Sequence, residues 1–382
     1  MMKGWEMKVQ EIIERNKTFI DETWKKLDKK LSRTAVKSRY KIPYTTKNGQ
    51  HDDKKDSIDW WTNGFWGGLM WLMYDATGNQ EYRVTAEQSE AYLEAAFQEV
   101  EKLQHDVGFM WHLTSGANYR LTGSAKSKNR AMLAAMLLAS RYNVDGGYIR
   151  AWNGDTNGWT IIDSMMNLPL LYWASEEIGD ARFRKIAIRH ADMTMRDHIR
   201  ENGMVNHIVA HAIDEEGIVL DVYAGQGYSN TSCWSRGAAW ALYGFTLSYM
   251  HTKEERYLDT AIKVANCFIQ EVKKTDWLTR LDFCQPSEPL YYDSTAGAIA
   301  ACGLMELSNF VEEEGKAKFL SAALNILKAM ETQWCDWGES EDSILQMGSE
   351  AYTQRIHMPI IYGDMFFAEA ILKLKGANFL IW

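Results

Sequence analysis

The sequence predicts an all-α fold, a closed toroid of six helical hairpins. Six short segments rich in glycine, aromatic or other apolar residues each follow a longer amphipathic helix, so inner and outer helices alternate. Several outer helices repeat an aromatic residue and an alanine four positions later, which share one helix face: Tyr82 with Ala86, Phe183 with Ala187, Tyr257 with Ala261, and Phe319 with Ala323. Such a reused packing unit indicates a repeat architecture.

The individual elements follow from this alternation. We expect outer helices at residues 5–31, 80–102, 126–143, 181–199, 254–273 and 316–334. The inner segments are expected at 61–75, 107–123, 162–178, 232–251, 293–311 and 362–374. Residues 45–56 are strongly polar and predict a solvated loop, whereas 203–210 and 217–224 alternate weakly and predict one small β-hairpin. Because Gly and Trp are spread evenly over the inner set, a closed ring is favoured over an open helical solenoid.

Composition supports one continuous domain over residues 1–382. The chain has only five prolines and is 46% hydrophobic, which favours long helices and a large core, and no stretch has the composition of a linker. The formal charge of −9, without a basic stripe, argues against a nucleic-acid surface.

Location is also constrained by the sequence. No segment has the length and apolarity of a membrane span, and the first residues lack the apolar stretch of a signal peptide. The five cysteines are an odd number, widely spaced and without a C-x-x-C pair, so reduced thiols are expected. These features predict a cytoplasmic protein without membrane contact.

Candidate chemistry collects where the inner helices begin, because parallel inner helices bring all their N-termini to one mouth. Aspartates lie at four of these starts, and each could simply cap its helix: Asp106, Asp163, Asp293 and Asp364. Two of them are stronger candidates. Gly108 follows Asp106 and would allow a ligand close approach, and Asp163 has apolar neighbours that can hold a proton on a carboxyl near neutral pH. Two carboxyl groups facing one cavity are typical of acid/base chemistry on sugars.

Other residues near the mouth suggest a sugar ligand. The chain has sixteen tryptophans, several of them near inner-segment starts, and indole rings suit the apolar faces of sugars although most will be core. His207 and His211 are four apart, but Ile208 stands where the zinc-protease motif has Glu, so we expect a substrate contact from His207 and no metal site. Arg236 either pairs with an acidic neighbour or neutralises a ligand carboxylate or a catalytic carboxylate.

Five motifs together carry a family resemblance. They are W-T-N-G-F-W-G-G from Trp61, H-D-V-G-F-M from His105, I-I-D-S-M-M-N-L-P-L-L-Y-W-A from Ile161, Q-G-Y-S-N-T-S-C-W-S-R-G-A-A-W from Gln226, and Y-D-S-T-A-G-A-I-A from Tyr292. In this order, over about residues 55 to 375, they resemble the unsaturated glucuronyl hydrolases of glycoside hydrolase family 88. The resemblance implies an (α/α)6 barrel, in agreement with the hairpin count.

The resemblance also implies an activity and site residues. Family members hydrate the C4=C5 enol-ether bond of a 4,5-unsaturated uronic acid, which polysaccharide lyases leave at the non-reducing end of oligosaccharides. Asp163 matches the aspartate that protonates C4 and activates water, and Asp106 matches the second essential aspartate. No metal or organic cofactor is implied. Positions that match substrate contacts or the aromatic lining are Trp61, Phe65, Trp152, His207, Gln226, Trp234, Arg236 and Trp240.

Alternatives remain open at this stage. Family members that prefer sulfated disaccharides share an S-x-x-S-x-K motif, which is absent here; the region reads G-S-E-A-Y-T-Q-R-I-H-M from Gly348. An unsaturated rhamnogalacturonyl hydrolase would share the barrel and the chemistry. A sugar 2-epimerase would need two opposed histidines, and a non-enzymatic sugar-binding toroid would leave the paired aspartates unexplained.

Overall fold

The computed structural model describes residues 6–382, so the predicted start of the first outer helix at residue 5 lies outside the described residues. Most of the described chain is helical. The α-helices, in chain order, are α1 (Glu6–Arg15), α2 (Lys17–Lys37), α3 (Phe65–Thr77), α4 (Gln80–Leu93), α5 (Val107–Trp111), α6 (Ala117–Thr122), α7 (Ala125–Ser140), α8 (Leu168–Ile178), α9 (Ala181–Asp197), α10 (Ser235–Thr252), α11 (Glu255–Lys273), α12 (Ser294–Ser308), α13 (Glu313–Trp334) and α14 (Ile361–Leu374).

The inner helices form a closed ring. A π-helical turn, His112–Gly116, joins α5 to α6, and this composite helix lies between α3 and α8. The ring then continues through α10, α12 and α14, and α14 packs back against α3. The contact between α14 and α3 excludes the open solenoid, and the fold is an (α/α)6 barrel as predicted.

The outer layer alternates with the inner ring. Helices α2, α4, α7, α9, α11 and α13 each precede an inner helix, and α1 packs against α13. The repeated aromatic residues of the outer helices are buried. Those that carry a hydroxyl group also form a hydrogen bond with a neighbouring outer helix. Tyr82 on α4 donates to Asp28 Oδ1 on α2 at 2.8 Å, and Tyr257 on α11 donates to Asp192 Oδ1 on α9 at 2.8 Å.

Aromatic side chains fill the centre of the ring. Phe109 of α5 reaches across to Trp240 of α10, with ring centroids 5.2 Å apart. Trp382 lies at the same centre and stacks on Phe366 of α14 at 5.6 Å with an interplanar angle of 4°. Because these rings close the axis, the barrel has a packed core and its ligand site must lie at one end.

Three small sheets complete the described fold. The strands are β1 (Thr46–Lys47), β2 (Gln50–His51), β3 (Tyr142–Asn143), β4 (Tyr148–Ile149), β5 (Trp159–Ile161), β6 (Ile208–His211) and β7 (Val219–Tyr223). The predicted hairpin is present as antiparallel β6 and β7, and β5 adds a third strand in the order β5-β6-β7. Three residues are too few to show an alternating pattern, which is why β5 was not predicted.

Several boundaries differ from the prediction: the outer helix expected over 5–31 is divided into α1 and α2 and ends at Lys37, and two further differences lie within residues 45–102. The helix expected over 80–102 ends as an α-helix at Leu93 and continues as the 3₁₀ turns Glu94–Gln98 and Val100–Lys102. The polar loop at 45–56 contains the β1–β2 pair. Local hydrogen bonding, which hydrophobic periodicity does not report, sets both boundaries.

Candidate active site

A cavity of about 510 Å³ opens at the end of the barrel where the inner helices begin. Its wall is built from the turn before α3, the start of α5, the β5–α8 connection, the loop before α10 and the loop before α14. The lining residues are Asp59, Trp60, Trp61, Lys102, Gln104, His105, Asp106, Met110, Trp152, Ile161, Asp163, His207, Ile208, Gly225, Gln226, Glu350 and Gln354. Six of the ten predicted site residues are therefore brought together here.

Asp163 is the most perturbed acid in the cavity. It lies in a 3₁₀ turn, Ile162–Met166, directly after β5, and its carboxyl is buried with Oδ2 lacking a hydrogen-bond partner among the described residues. Burial raises its pKa to about 7, and His105 and Arg236 oppose this shift. The group therefore exchanges a proton near neutral pH.

Asp106 precedes α5 and faces the same cavity beside His105. The Nε2 atom of His105 lies 3.1 Å from Asp106 Oδ1, and its Nδ1 atom lies 2.9 Å from the Ala151 carbonyl oxygen. Burial acts to lower the pKa of His105, but the Asp106 and Asp163 carboxylates and the Ala151 carbonyl together outweigh it, so the pKa is raised. The surroundings therefore favour the imidazolium form of His105.

Asn167 fixes the spacing between the two aspartate segments. Its Oδ1 accepts a hydrogen bond from the Phe109 backbone N–H at 2.8 Å, and its Nδ2 donates to the Asp163 carbonyl at 3.3 Å. Gly108 makes this approach possible, since a Cβ there would lie 2.5 Å from Asn167 Oδ1. The prediction that Gly108 gives room to a ligand was wrong, because that room is filled by Asn167.

His207 and Gln226 form another part of the cavity wall. His207 Nε2 lies 3.7 Å from Asp163 Oδ2, and burial lowers the His207 pKa to about 3, so the ring is neutral. Its Nδ1 contacts the Ala224 carbonyl at 2.9 Å and the Gln226 N–H at 3.1 Å. Gly225 sits between them at φ +56°, where a Cβ would meet the imidazole at 2.4 Å.

Arg236 and Trp234 do not reach the cavity lining. Arg236 is fully buried and its Nη1 binds Asp293 Oδ2 at 2.5 Å, while further bonds reach the carbonyls of Ser349 and Glu350 at 2.6 and 2.8 Å. This is the acidic-neighbour alternative, and contact between Arg236 and a ligand stays a prediction. Trp234 is sandwiched between Arg236, 4.4 Å from its ring, and His207 at 4.2 Å. Both residues support the wall from behind.

Phe65 and Trp240 also lie outside the cavity. Both are fully buried in the aromatic core at the barrel axis, where Phe65 contacts Phe109 at 5.1 Å and Trp240 contacts Phe366 at 5.5 Å. One helical turn separates each from the residues at the mouth, so they are below the ligand surface. Trp61, which does line the cavity, packs edge-on against Phe65 at 5.9 Å.

The remaining candidates are structural. Asp293 caps α12 through the Thr295 N–H at 3.1 Å, and Asp364 accepts bonds from Ser343, Ile344 and Leu345. His211 lies 2.9 Å from Asp197 and 3.5 Å from the Thr160 hydroxyl, and it does not line the cavity as His207 does. The two histidines therefore do not share a ligand.

Several lining residues were missed by sequence reasoning. His105 is adjacent to Asp106, so the H-D pair itself was the available signal. Glu350 and Gln354 come from an irregular loop more than a hundred residues after Gln226, and their position depends on Arg236 and Gln226 holding that loop through the Glu350 carbonyl. No local sequence pattern predicts such a contact.

Among the residues that the structure describes, no helix has both the length and the apolarity needed to cross a membrane.

Comparison with known proteins gives concordant findings. The family model described as Glycosyl Hydrolase Family 88 matches residues 34–249. The "Unsaturated glucuronyl hydrolase" of Bacillus sp. (strain GL1) is 32% identical over 90% of this chain and 93% of its own length, and its crystal structure superposes with a TM-score of 0.85, at 30% identity over 91% and 95% of the two chains. The "Unsaturated chondroitin disaccharide hydrolase" of Streptococcus pyogenes serotype M1 is 30% identical over 82% of this chain and 80% of its own.

A further solved structure, described as a UGL variant with dGlcA-Glc-Rha-Glc, has a TM-score of 0.84 at 30% identity and covers 90% of this chain and 94% of its own. The sequence and the fold of this chain thus agree with those of these relatives over most of the length of each chain. The protein is an (α/α)6-barrel enzyme that belongs to glycosyl hydrolase family 88.

Proposed function

We propose that this protein is an unsaturated glucuronyl hydrolase, which releases 4,5-unsaturated uronic acid from the non-reducing end of lyase-generated glycosaminoglycan or gellan-type oligosaccharides. The observation that carries the proposal is Asp163, a buried carboxyl in the cavity with a pKa of about 7. Hydration of an enol ether needs one acid that can give a proton and then take one back from water. A carboxyl poised near neutral pH does both.

In the proposed reaction Asp163 acts first as the acid and then as the base. Asp163 protonates C4, and the electron pair of the C4=C5 bond forms the new C–H bond, leaving positive charge at C5 shared with the ring oxygen. Water adds at C5 and gives a proton to the Asp163 carboxylate. The hemiketal so formed opens and expels the remaining sugar as an alcohol. Positive charge on His105 and Arg236, both of which lower the Asp163 pKa, stabilises the carboxylate between the two transfers.

The other lining residues position the substrate. We assign Asp106, held against His105, to the reacting ring, where its negative charge stabilises the cation at C5. His207 and Gln226 offer polar contacts, and Trp61 and Trp152 offer apolar walls for sugar faces. In this proposal Arg236 supports the cavity wall and contributes positive charge to the electrostatic field at Asp163.

The proposal extends to domain and location. The main hydrophobic core runs from Ile20 to Trp382, which supports one catalytic domain over residues 1–382. All five cysteines are free, which supports a reducing, cytoplasmic setting.

One observation bears on the epimerase alternative. His105 and His207 both line the cavity, so the site contains two histidines from different segments of the chain. The family membership nevertheless favours the hydrolase, and His207 with a pKa near 3 is a poor proton donor at neutral pH. An unsaturated rhamnogalacturonyl hydrolase differs only in the sugar that follows the uronate.

Turnover assays test the proposal directly. Unsaturated disaccharides from chondroitin, hyaluronan, heparin and gellan, and an unsaturated rhamnogalacturonan disaccharide, are mixed with enzyme while the enol-ether absorbance is followed. We expect absorbance loss with at least one glucuronyl substrate and a fall in kcat of roughly 10² to 10⁴ in Asp163→Asn. The exposed Asp145→Asn is the matched control. Wild-type rates in Asp163→Asn, or turnover of the rhamnogalacturonan unit alone, contradict the proposal.

A further inference from the structure

The three-stranded sheet β5-β6-β7 has two faces with different surroundings. The strand register pairs Ile161 with Ile208 and Ile208 with Tyr223. Two residues further along the strands, it pairs Trp159 with Ala210 and Ala210 with Asp221. Side chains alternate between faces, so these six residues share one face, which we call the cavity face. Ile161 and Ile208 on this face line the active-site cavity.

The opposite face is closed to ligands. Thr160, between Trp159 and Ile161, is fully buried and lies 2.8 Å from His198 Nε2 of the segment after α9. Val209, its partner on β6, is also fully buried. The sheet is therefore anchored on this side and presents its cavity face outward.

The cavity face continues beyond the cavity as an aromatic surface. Trp152, which lines the cavity, packs edge-on against Trp159 at 6.2 Å, and Trp159 stacks on Tyr223 at 4.5 Å with an interplanar angle of 22°. All three rings are half-buried although they belong to a small apolar cluster separate from the main core. Trp159 is two residues from Ile161, roughly 7 Å along the strand, so the surface extends the cavity wall by about one sugar ring.

We propose that Trp159 and Tyr223 form a binding platform for the leaving oligosaccharide beyond the sugar next to the uronate. Trp152 alone would suffice for a disaccharide. Two further rings on the same wall add apolar surface only where a longer chain passes over them, and sugars bury their apolar C–H faces on such rings. This inference rests on the proposed function, because the platform is defined relative to the unsaturated uronate in the cavity.

The charge on the platform restricts the class of sugar that can bind there. Asp221 shares the cavity face with Trp159 and Tyr223, is exposed, and has no ion-pair partner among the described residues. A uronate or a sulfate on the sugar over Tyr223 would lie close to this carboxylate. The platform therefore suits neutral sugars, such as the glucose and rhamnose of a gellan-type chain.

Chain-length dependence tests the platform. The probes are the tetrasaccharide dGlcA-Glc-Rha-Glc and the disaccharide dGlcA-Glc, which share the bond that is broken, and the quantity is the ratio of their kcat/KM values. In the wild type we expect the tetrasaccharide to be favoured by about tenfold, the scale of one well-packed aromatic contact. Tyr223→Ala should abolish most of this advantage, and Tyr223→Phe should retain it.

Further variants guard against a folding defect. Leu220→Ala changes an exposed side chain on the same strand but off the cavity face, and should leave the ratio unchanged. Tyr223→Leu keeps apolar bulk without the ring, so it replaces Tyr223→Ala as the test variant if Tyr223→Ala does not fold. It should likewise abolish most of the length advantage. With hyaluronan tetra- and disaccharides, which place a second uronate in the leaving chain, the length advantage should be smaller and should grow in Asp221→Asn.

The outcomes separate the two proposals. No turnover of any unsaturated disaccharide contradicts the proposed function. Turnover of the disaccharide with no length advantage in the wild type, or with an advantage that Tyr223→Ala and Tyr223→Leu both preserve, overturns the platform and leaves the proposed function intact. A larger length advantage for hyaluronan than for the gellan-type series overturns the preference for neutral sugars.

Discussion

Asp163 is subject to opposing influences whose balance determines its protonation state. Burial favours the neutral acid and raises the pKa from an ordinary 3.8 to about 7, while the cationic His105 and Arg236 favour the carboxylate. Neither form is strongly preferred at neutral pH. A group in this position loses a proton and regains it at little free-energy cost, as a group that is acid and base in turn requires.

This balance predicts a pH-dependent stability difference between the wild type and Asp163→Asn. Because the folded-state pKa of Asp163 is raised, its favourable contribution is complete below about pH 4 and is lost as pH rises through about 7. Asn cannot ionise, so Asp163→Asn should be more stable than the wild type at pH 8 by on the order of a few kcal/mol. Urea unfolding of both proteins at several pH values measures the difference.

The same experiment on Asp145→Asn supplies the baseline, because Asp145 is exposed. A stability difference for Asp163→Asn that stays constant from pH 4 to pH 8 would show that burial does not shift this carboxyl.

Asp106 is expected to act in turnover and not only at the start of α5. Its side chain accepts no capping hydrogen bond from the helix but contacts His105. We predict that Asp106→Asn retains its melting temperature while kcat falls by roughly 10² or more, because the charge facing the reacting ring is lost. Thermal melting and turnover of the same preparation decide the point. A lower melting temperature with normal kcat would reduce Asp106 to a structural role.

At the scale of elements, the active site depends on how closely α5 approaches the β5–α8 connection. Asn167 bonds to both segments, and Gly108 lets the two backbones meet. The distance between Asp106 and Asp163, the two proposed catalytic residues, is thus set by the Asn167 side chain and by the absence of a side chain at Gly108.

We predict that Gly108→Ala lowers kcat by about tenfold to a hundredfold while KM changes less. A Cβ at this position would lie 2.5 Å from Asn167 Oδ1 and 2.7 Å from its Cα, so one segment must move and the two acids lose their relative placement. Steady-state kinetics measures the effect. Gly338→Ala, whose Cβ would meet only side-chain atoms at 3.1 Å and beyond, is the control. Equal kinetics in the two variants would contradict the prediction.

The elements that the sequence predicted well are inner helices made of long runs of apolar and small residues. Hydrophobic and small residues repeat along α10, α12 and α14, which are buried on nearly all sides, and these inner helices lie close to their expected bounds. Motif reasoning also placed Asp106, Asp163, Trp61, Trp152, His207 and Gln226 around one cavity. Phe65 and Trp240 were misplaced because a motif does not say how deep along a helix the ligand reaches. Glu350 and Gln354 were not predicted as lining residues because only tertiary contacts bring their loop to the mouth.

At the scale of the whole molecule, the distribution of charge around the mouth determines which substrates enter. Glu350 lines the cavity and its Oε2 lies 3.1 Å from Arg355 Nη1, so that exposed guanidinium is already neutralised. Gln354 also lines the cavity and is uncharged. Lys102, the lining lysine, pairs with Glu99. The mouth therefore offers little free positive charge to a sulfate.

We predict that unsulfated unsaturated chondroitin disaccharides are turned over at least as well as 6-O-sulfated ones. An additional anion near Glu350 would be excluded from water without a dedicated cation, which is costly. The ratio of kcat/KM values for the two disaccharides tests this. A preference of about tenfold or more for the sulfated one would refute it. Loss of that preference in Arg355→Ala would then show that Arg355 had exchanged Glu350 for the sulfate.

Closure of the ring through α14 and α3 has a consequence for biosynthesis. Between the end of α3 at Thr77 and the start of α14 at Ile361 the ribosome must add most of the chain, which takes roughly 15 to 60 s at about 5–20 residues per second. During that time the apolar side of α3 that α14 will cover has no permanent neighbour. Cotranslational folding can assemble successive hairpins, but the toroid itself closes only near the end of synthesis. Nascent chains stalled before Ile361 should therefore be bound by chaperones and readily proteolysed, whereas chains that have released α14 should resist protease.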